Sequence, residues 1–285
     1  FQDTRDERAA RQRKRVLVVE QRGLQKKFAT PLQDALPGAL VGQRIGKVID
    51  VSPYFRDGAL VEFGAAFMEV REARGVLRQG LGDVEPSDLT VVYGGAAPVP
   101  LTFLTGTYFD DLSAVVIMDW DRTANAWRGL DGHDDGDCLS EPDLSLVPPG
   151  TEEVALAISV SYEVDEAAVR RIGDGWPLLR MRMGRVEIGN HWSGAKQRRM
   201  AEAFVRVMAK LADRGVLQVH LFLAAPNSVV FRLGRHLDRN WSALQVYQRE
   251  PGDLVRFPWS IRMPSSSAPE PQLCPTPAPA DVDRP

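Results

Sequence analysis

The stretch LQVHLFLAAPNSVVFRLGRHLDRNWSALQVYQ, Leu217 to Gln248, decides the fold, because LTVVYGGAAPVPLTFLTGTYFDDLSAVVIMDW, Leu89 to Trp120, aligns with it without a gap. Leu89/Leu217, Val91/Val219, Ala96/Ala224, Ala97/Ala225, Pro98/Pro226, Phe103/Phe231, Gly106/Gly234 and Asp110/Asp238 coincide. Each copy reads as a strand, a tight Ala-Pro turn, a helix and a second strand, the half-site unit of many α/β folds. Two fused copies imply a pocket of approximate two-fold symmetry, which suits a ligand that is itself nearly symmetric, such as a small ring of nucleotides.

Working outward, Arg15 to Glu20 (RVLVVE) and Val154 to Val160 (VALAISV) are apolar runs of buried-strand type, each opening one half. Further strands are expected at Lys47 to Val51 and Leu178 to Met183. Glu62 to Leu77 gathers Phe63, Phe67, Val70 and Leu77 on one helical face, and Lys196 to Leu211 does the same with Met200, Phe204, Val207, Met208 and Leu211. Strands alternating with helices give an α/β chain whose mostly parallel sheets are flanked by helices. Asp121 to Gly150, rich in Asp, Gly and Pro, reads as a connection with a solvated acidic segment at His133 to Asp137 that lacks calcium-loop spacing. The division expected is a basic flank over residues 1–14, halves over 15–150 and 151–263, and a disordered Pro-rich tail over 264–285.

The chain of 285 residues is 44% apolar and 26% charged with a net charge of −3, an ordinary globular composition. Polymeric nucleic acid is not an expected partner, since it calls for a basic surface. Cys138 and Cys274 fall in a loop and in the tail, so neither a disulfide framework nor a zinc knuckle is expected. A cytoplasmic location follows as the default. The chain starts at Phe1, and Arg5, Arg8, Arg11, Arg13, Lys14 and Arg15 outnumber Asp3, Asp6 and Glu7 there, a pattern compatible with a solvated linker or with the flank of an upstream membrane tether.

In a doubly wound sheet, ligands sit where strand carboxyl ends turn into helices. Ala225, Pro226, Asn227 and Ser228 occupy such a turn: the small alanine lets the protein backbone approach a ligand, Pro226 suits the first helical turn, and free N–H groups attract phosphate. The same turn is used in many proteins only to start a helix. His191, Trp192, Ser193 and Lys196 precede the next helix upstream, with Trp192 suited to stacking a base, Ser193 to capping, and Lys196 to an anion, because a cation in a first turn opposes the helix dipole. A core tryptophan and a plain cap are the structural alternative. His220 lies inside a strand on the face of Phe222 and reads as a satisfied internal histidine. No metal or cofactor motif, nucleophile elbow or P-loop is present, and a dinucleotide enzyme is the weakest reading because its Gly-rich fingerprint is absent after every candidate strand.

His220-x-Phe222, Ala225-Pro226-x-Ser228, Leu233-Gly234-Arg235 and Val246-Tyr247 together resemble the C-terminal signature of the SAVED domain, the sensor of bacterial cyclic-oligonucleotide anti-phage systems (CBASS and some type III CRISPR systems). The resemblance extends, through the internal repeat, over Arg15 to Met263. It implies two fused CARF-type, Rossmann-like halves that bind a cyclic tri- or tetranucleotide. It also implies head-to-tail homo-oligomerisation on binding and activation of a fused or separate transmembrane, TIR or nuclease effector, with no enzymatic activity in this chain itself. Carried onto this sequence, phosphates are expected at Ala225 to Ser228 and Lys196, base contacts at Trp192, Phe222 and Tyr247, and added charge from Arg22, Lys26 and Lys27. In the first half, Ala97-Pro98-Val99-Pro100 lacks the Asn-Ser polarity, so the second half is expected to dominate. The alternative is a ring nuclease that cleaves its own activator, with His191 as the base.

Overall fold

The first unit is built on β1 (Arg15–Arg22), an apolar run buried on both faces and therefore central to a parallel sheet. The computed structural model describes residues 14–24, 28–81, 84–109, 115–250 and 256–276. β2 (Gln43–Asp50) lies parallel to β1 at an exposed edge, and β5 (Leu89–Ala96) lies parallel on its other side. β6 (Val115–Asp121) and the antiparallel β7 (Ala126–Gly129) complete the order β2-β1-β5-β6-β7. A small hairpin, β3 (Phe55–Arg56) with β4 (Ala59–Leu60), leads into α1 (Phe63–Leu81). The core on one face is aromatic: Phe28 meets Trp120 at 4.9 Å and Trp127 at 4.3 Å between ring centroids. The Trp127 indole N–H donates to the Thr30 carbonyl at 2.8 Å, so its one polar atom is satisfied on burial.

The second unit repeats the plan. β8 (Glu153–Ser159), β9 (Leu178–Arg182), β10 (Gln218–Ala224) and β11 (Ala243–Glu250) are parallel in the order β9-β8-β10-β11, matching β2-β1-β5-β6 strand for strand. β12 (Arg256–Arg262) and β13 (Gln272–Pro275) extend the sheet antiparallel. α3 (Glu166–Ile172) starts at an Asp165 cap whose side chain accepts from the Ala168 N–H. α4 (Gly194–Asp213) buries Met200, Phe204, Val207, Met208 and Leu211, the face expected from the sequence. α5 (Asn227–Arg235) follows β10. Phe222, Tyr247 and Phe257 form a cluster with Ala168 and Val169 of α3, with Phe222 stacked on Tyr247 at 4.6 Å.

α2 (Val99–Gly106) follows a first-unit strand yet belongs to the second unit, which comprises residues 98–107 and 131–285; the first comprises 1–97 and 108–130. The cause is a reciprocal contact between the repeated helices. A Cβ on Gly106 would stand 2.4 Å from the Phe231 carbonyl oxygen, and one on Gly234 2.2 Å from that of Phe103. Only hydrogen fits at either position, so the two copies of the repeat meet through equivalent glycines and equivalent phenylalanine carbonyls.

His220 is internal, as its strand position requires. Its Nδ1 pairs with the Tyr247 hydroxyl at 3.0 Å, its Nε2 with Glu153 at 3.1 Å, and Trp176 stacks on the ring at 3.5 Å. Burial pushes the imidazole below its ordinary value despite the Glu153 carboxylate.

One expectation is extended and one is corrected. The segment around His133 to Asp137 is solvated, with His133, Asp135 and Gly136 exposed, yet its acids are also paired: Asp134 takes a fork from Arg199, Asp135 pairs with Lys196 and Arg185 at 2.6 Å each, and Asp137 accepts from the Gly184 and Arg185 N–H groups and from Asn190. Composition shows the acids, but their basic partners lie some fifty or more positions on and only folding joins them. The expected disordered tail holds a strand within residues 264–276, because β13 pairs with β12 and the Cys274 carbonyl accepts from the Ser260 hydroxyl at 3.2 Å; residues 277–285 lie outside the described residues. Among the described residues no helix is long and apolar enough to cross a membrane.

Candidate functional site

In the order β9-β8-β10-β11, chain direction across the sheet reverses between β8 and β10, the switch point at which open α/β sheets hold ligands beyond the strand carboxyl ends. There the Val160 and Ser161 N–H groups both donate to the Ala224 carbonyl at 3.0 Å, which ties the two strand ends together. The first unit has the equivalent bond, Leu24 N–H to the Ala96 carbonyl at 2.9 Å.

The turn after β10 is open. Ala225, Pro226 and Asn227 remain part-exposed, whereas Ser228 is fully buried. Pro226 stands at the helix cap with φ −63° and ψ 155°, one position earlier than the sequence reading placed it, and Asn227 opens α5. Asn227 Nδ2 donates to the Thr102 hydroxyl of α2 at 2.6 Å. The α2 start is capped in turn by Gln248, whose Oε1 accepts from the Val99 N–H at 2.9 Å. Ser228 presents its hydroxyl inward, accepting from Gln197 Nε2 at 2.9 Å. The same nitrogen donates to the His191 carbonyl at 2.9 Å, and Gln197 Oε1 accepts from Arg232 Nε at 3.2 Å. Gln197 therefore stitches the α4 and α5 starts into one polar floor.

The Gly189–Gly194 loop turns through Gly189 at φ +89°. Trp192 stays part-exposed and lies on the His191 ring at 4.4 Å, while its carbonyl accepts from the Gly132 N–H at 2.9 Å. A side chain at Gly132 would press on Trp192 at 3.0 Å, so this glycine permits the close approach that anchors the indole. Ser193 caps α4, accepting from the Lys196 N–H at 3.3 Å.

Several expected contacts fall elsewhere. Lys196 is 3% exposed, and its ammonium is held by Asp135 at 2.6 Å and by Asn190. The anion that a first-turn cation requires is the protein's own, and the hydrogen bond from Lys196 lowers the Asp135 carboxyl to about 2. Phe222 and Tyr247 are core residues rather than base contacts, because their strand register turns them under the sheet; burial pushes the Tyr247 phenol up. Ser193 serves as the cap and His191 is only 6% exposed. Arg22, in the first unit, is bonded to Glu20 at 2.5 Å, whose other oxygen accepts from the Leu32 N–H at 2.7 Å. Lys26 and Lys27 lie outside the described residues. Ala225, Pro226, Asn227 and Trp192 remain as the open rim.

The structure adds residues that the sequence reading missed. Tyr162, at the end of β8, is 62% exposed, and the neighbouring Ser161 hydroxyl is buried with no hydrogen-bond partner among the described residues. Thr102, Gln197 and Arg232 also reach this edge, from three different helices. The available signal was Val160-Ser161-Tyr162: a polar and an aromatic residue directly after an apolar strand. Among the described residues no group of three or more His, Cys, Asp or Glu is placed to hold a metal ion. The rim thus offers aromatic faces, neutral hydrogen-bonding groups and one buried cation behind them.

Comparison with known proteins supplies a frame for this geometry. No curated protein sequence matches the chain. Two solved structures of the Acinetobacter baumannii Cap4 SAVED/CARF-domain containing receptor share its fold. The one with the cyclic trinucleotide 2'3'3'-cAAA aligns with a TM-score of 0.53 at 14% identity, covering 86% of this chain and 51% of the other. The one with 3'3'3'-cAAA aligns with a TM-score of 0.51 at 15% identity, covering 75% and 47%. This chain therefore spans about half the length of the structures it resembles. Residues 1–67 match the model of the SAVED-fused 2TM effector domain. Residues 71–263 match the model of the SMODS-associated and fused to various effectors sensor domain, and the chain belongs to that family, SAVED.

Proposed function

We propose that this chain senses a cyclic oligonucleotide at the β8/β10 switch point of its second unit and passes the binding event to an effector. The observation that carries the reading is the placement of two solvent-reaching aromatic side chains, exposed Tyr162 after β8 and part-exposed Trp192, beside a hydrogen-bonding helix start. Trp192 and Tyr162 supply stacking faces, and Asn227 with the α5 N–H groups supplies phosphate and sugar contacts. The Cap4 structures with cyclic trinucleotides support a ring of that class as ligand. The reading extends to head-to-tail association of ligand-bound copies, and to a membrane-embedded effector, for which the match of residues 1–67 to a 2TM effector model is the support. The second unit acts by binding rather than by cleaving its ligand: His191, the base that cleavage would use, sits below Trp192 with its ring buried.

Trp192→Ala tests the site. Stacking of a base on an aromatic ring contributes about 1–3 kcal/mol, so the variant should bind a cyclic trinucleotide roughly tenfold more weakly or worse by calorimetry, with ligand recovered intact by chromatography. Unchanged affinity would remove Trp192 from the site, and linearised ligand would restore the ring-nuclease reading.

A further inference from the structure

Arg198 and Arg199 on α4 and Arg232 on α5 lie on neighbouring helices, and two of the three have no ion pair among the described residues. On α4 the cations next to the gap are satisfied, Lys196 by Asp135 and Arg199 by Asp134. Arg198, between them in sequence, is exposed and has no ion pair among the described residues; neither does Arg232 on α5. Arg232 is half-buried, and its single hydrogen bond among the described residues runs from Nε to Gln197 Oε1 at 3.2 Å, leaving both terminal nitrogens of the fork available. Burial and the neighbouring Arg235 and Arg198 lower its pKa to about 10. An arginine displaced that far from its ordinary value sits in a place that favours an added anion.

Direction matters as much as charge. Helical side chains lean toward the helix N-terminus, so Arg232 reaches back over the turn that holds Ser228. Gln197 confirms the placement, since it bonds Ser228 with one amide atom and Arg232 with the other. The guanidinium therefore lies behind the open Ala225–Asn227 turn, on the side where Lys196 is already committed to Asp135.

We propose that Arg232, with Arg198 beside it, is the seat of a phosphate group, replacing Lys196 as the cation of the site; the proposal rests on the cyclic-oligonucleotide reading for the identity of that phosphate. The planar fork suits two phosphate oxygens at once, and Gln197 holds it in orientation.

The test uses the full chain, the variants Arg232→Gln, Arg232→Lys and Arg198→Gln, and two probes: cyclic tri-adenylate by calorimetry at low and high salt, and inorganic pyrophosphate by thermal shift. A charge-assisted hydrogen bond lost from a phosphate weakens binding about tenfold or more. Arg232→Gln should show that loss together with a shallower salt dependence, Arg232→Lys should recover part of both, and Arg198→Gln should show a smaller loss of the same kind. Should Arg232→Gln fail to fold, the exposed Arg198→Gln carries the comparison alone. Unchanged affinity and salt dependence in the glutamine variants, with the ring still bound by the unaltered chain, would overturn the proposal and leave the sensor reading standing. If the unaltered chain binds no ring, the sensor reading fails instead; pyrophosphate stabilisation abolished by Arg232→Gln would then still support the anion seat, and no pyrophosphate effect would overturn it.

Discussion

Replacing Gly234 by alanine will destabilise the second unit by about 1–3 kcal/mol, and Gly106→Ala will do the same. The expected sign is the informative part. In an exposed helix interior, alanine is favoured over glycine by about 1 kcal/mol, so a helical Gly→Ala change ordinarily stabilises. Here each new methyl would meet a backbone carbonyl oxygen, at 2.2 Å for Gly234 and 2.4 Å for Gly106, and a carbonyl cannot swing aside as a side chain can. The two helices must separate, which opens a contact made by backbone on both sides. Gly75 in α1 supplies the opposite case, since a Cβ there meets nothing within 4 Å and Gly75→Ala should stabilise slightly. Chemical denaturation of the three variants checks the account; equal and favourable effects at all three positions would contradict the reciprocal contact.

Asp135→Asn is expected to lower the melting temperature by several degrees at neutral pH and to blunt the acid response of the protein. Lys196 keeps its ammonium buried in the first turn of α4, where the helix dipole already opposes positive charge, and Asp135 is the acid 2.6 Å away. The folded carboxyl titrates at about 2 against an ordinary 3.8. The unfolded chain therefore takes up the proton first as pH falls, so the pairing stabilises fully above 3.8 and is lost as pH drops from there through about 2. Consequently the stability gap between the unaltered chain and Asp135→Asn should be widest at neutral pH and close toward pH 2. Adding Lys196→Met should recover stability, because the stranded cation goes with it. A double variant as unstable as the sum of the two single changes would show that the pair is not coupled.

The repeated elements were the legible part of the fold. Val-rich runs at Arg15 and Val154, and the amphipathic periods of α1 and α4, follow from local pattern, and the structure places strands and helices there with ends moved by a few residues. Leu89–Trp120 and Leu217–Gln248 indicated a duplicated strand-helix-strand unit, and the two sheets share their strand order. Local pattern did not predict α3, whose seven residues are too few to show a period, nor β7, β12 and β13, whose pairing depends on neighbours already in place. It also gave no sign that α2 would leave its own strand's unit for the repeat partner.

The site was half legible for the same reason. The Ala225–Ser228 turn and Trp192 are set by sequence neighbours, a strand end and a Gly-flanked loop. The fate of Lys196 depended on Asp135, sixty-odd positions earlier, and the burial of Phe222 and Tyr247 on which side of the sheet α3 would cover. A single tyrosine after a strand carries little weight in sequence, and only the 62% exposure of its ring after β8 marks Tyr162.

The most direct measurement is calorimetric titration of the full chain with cyclic di-, tri- and tetranucleotides, alongside Trp192→Ala. Saturable binding of one ring class at one site per chain is expected, weakened in the variant. Absence of heat across the set, or binding to which Trp192 is indifferent, would contradict a sensor site at the β8/β10 edge.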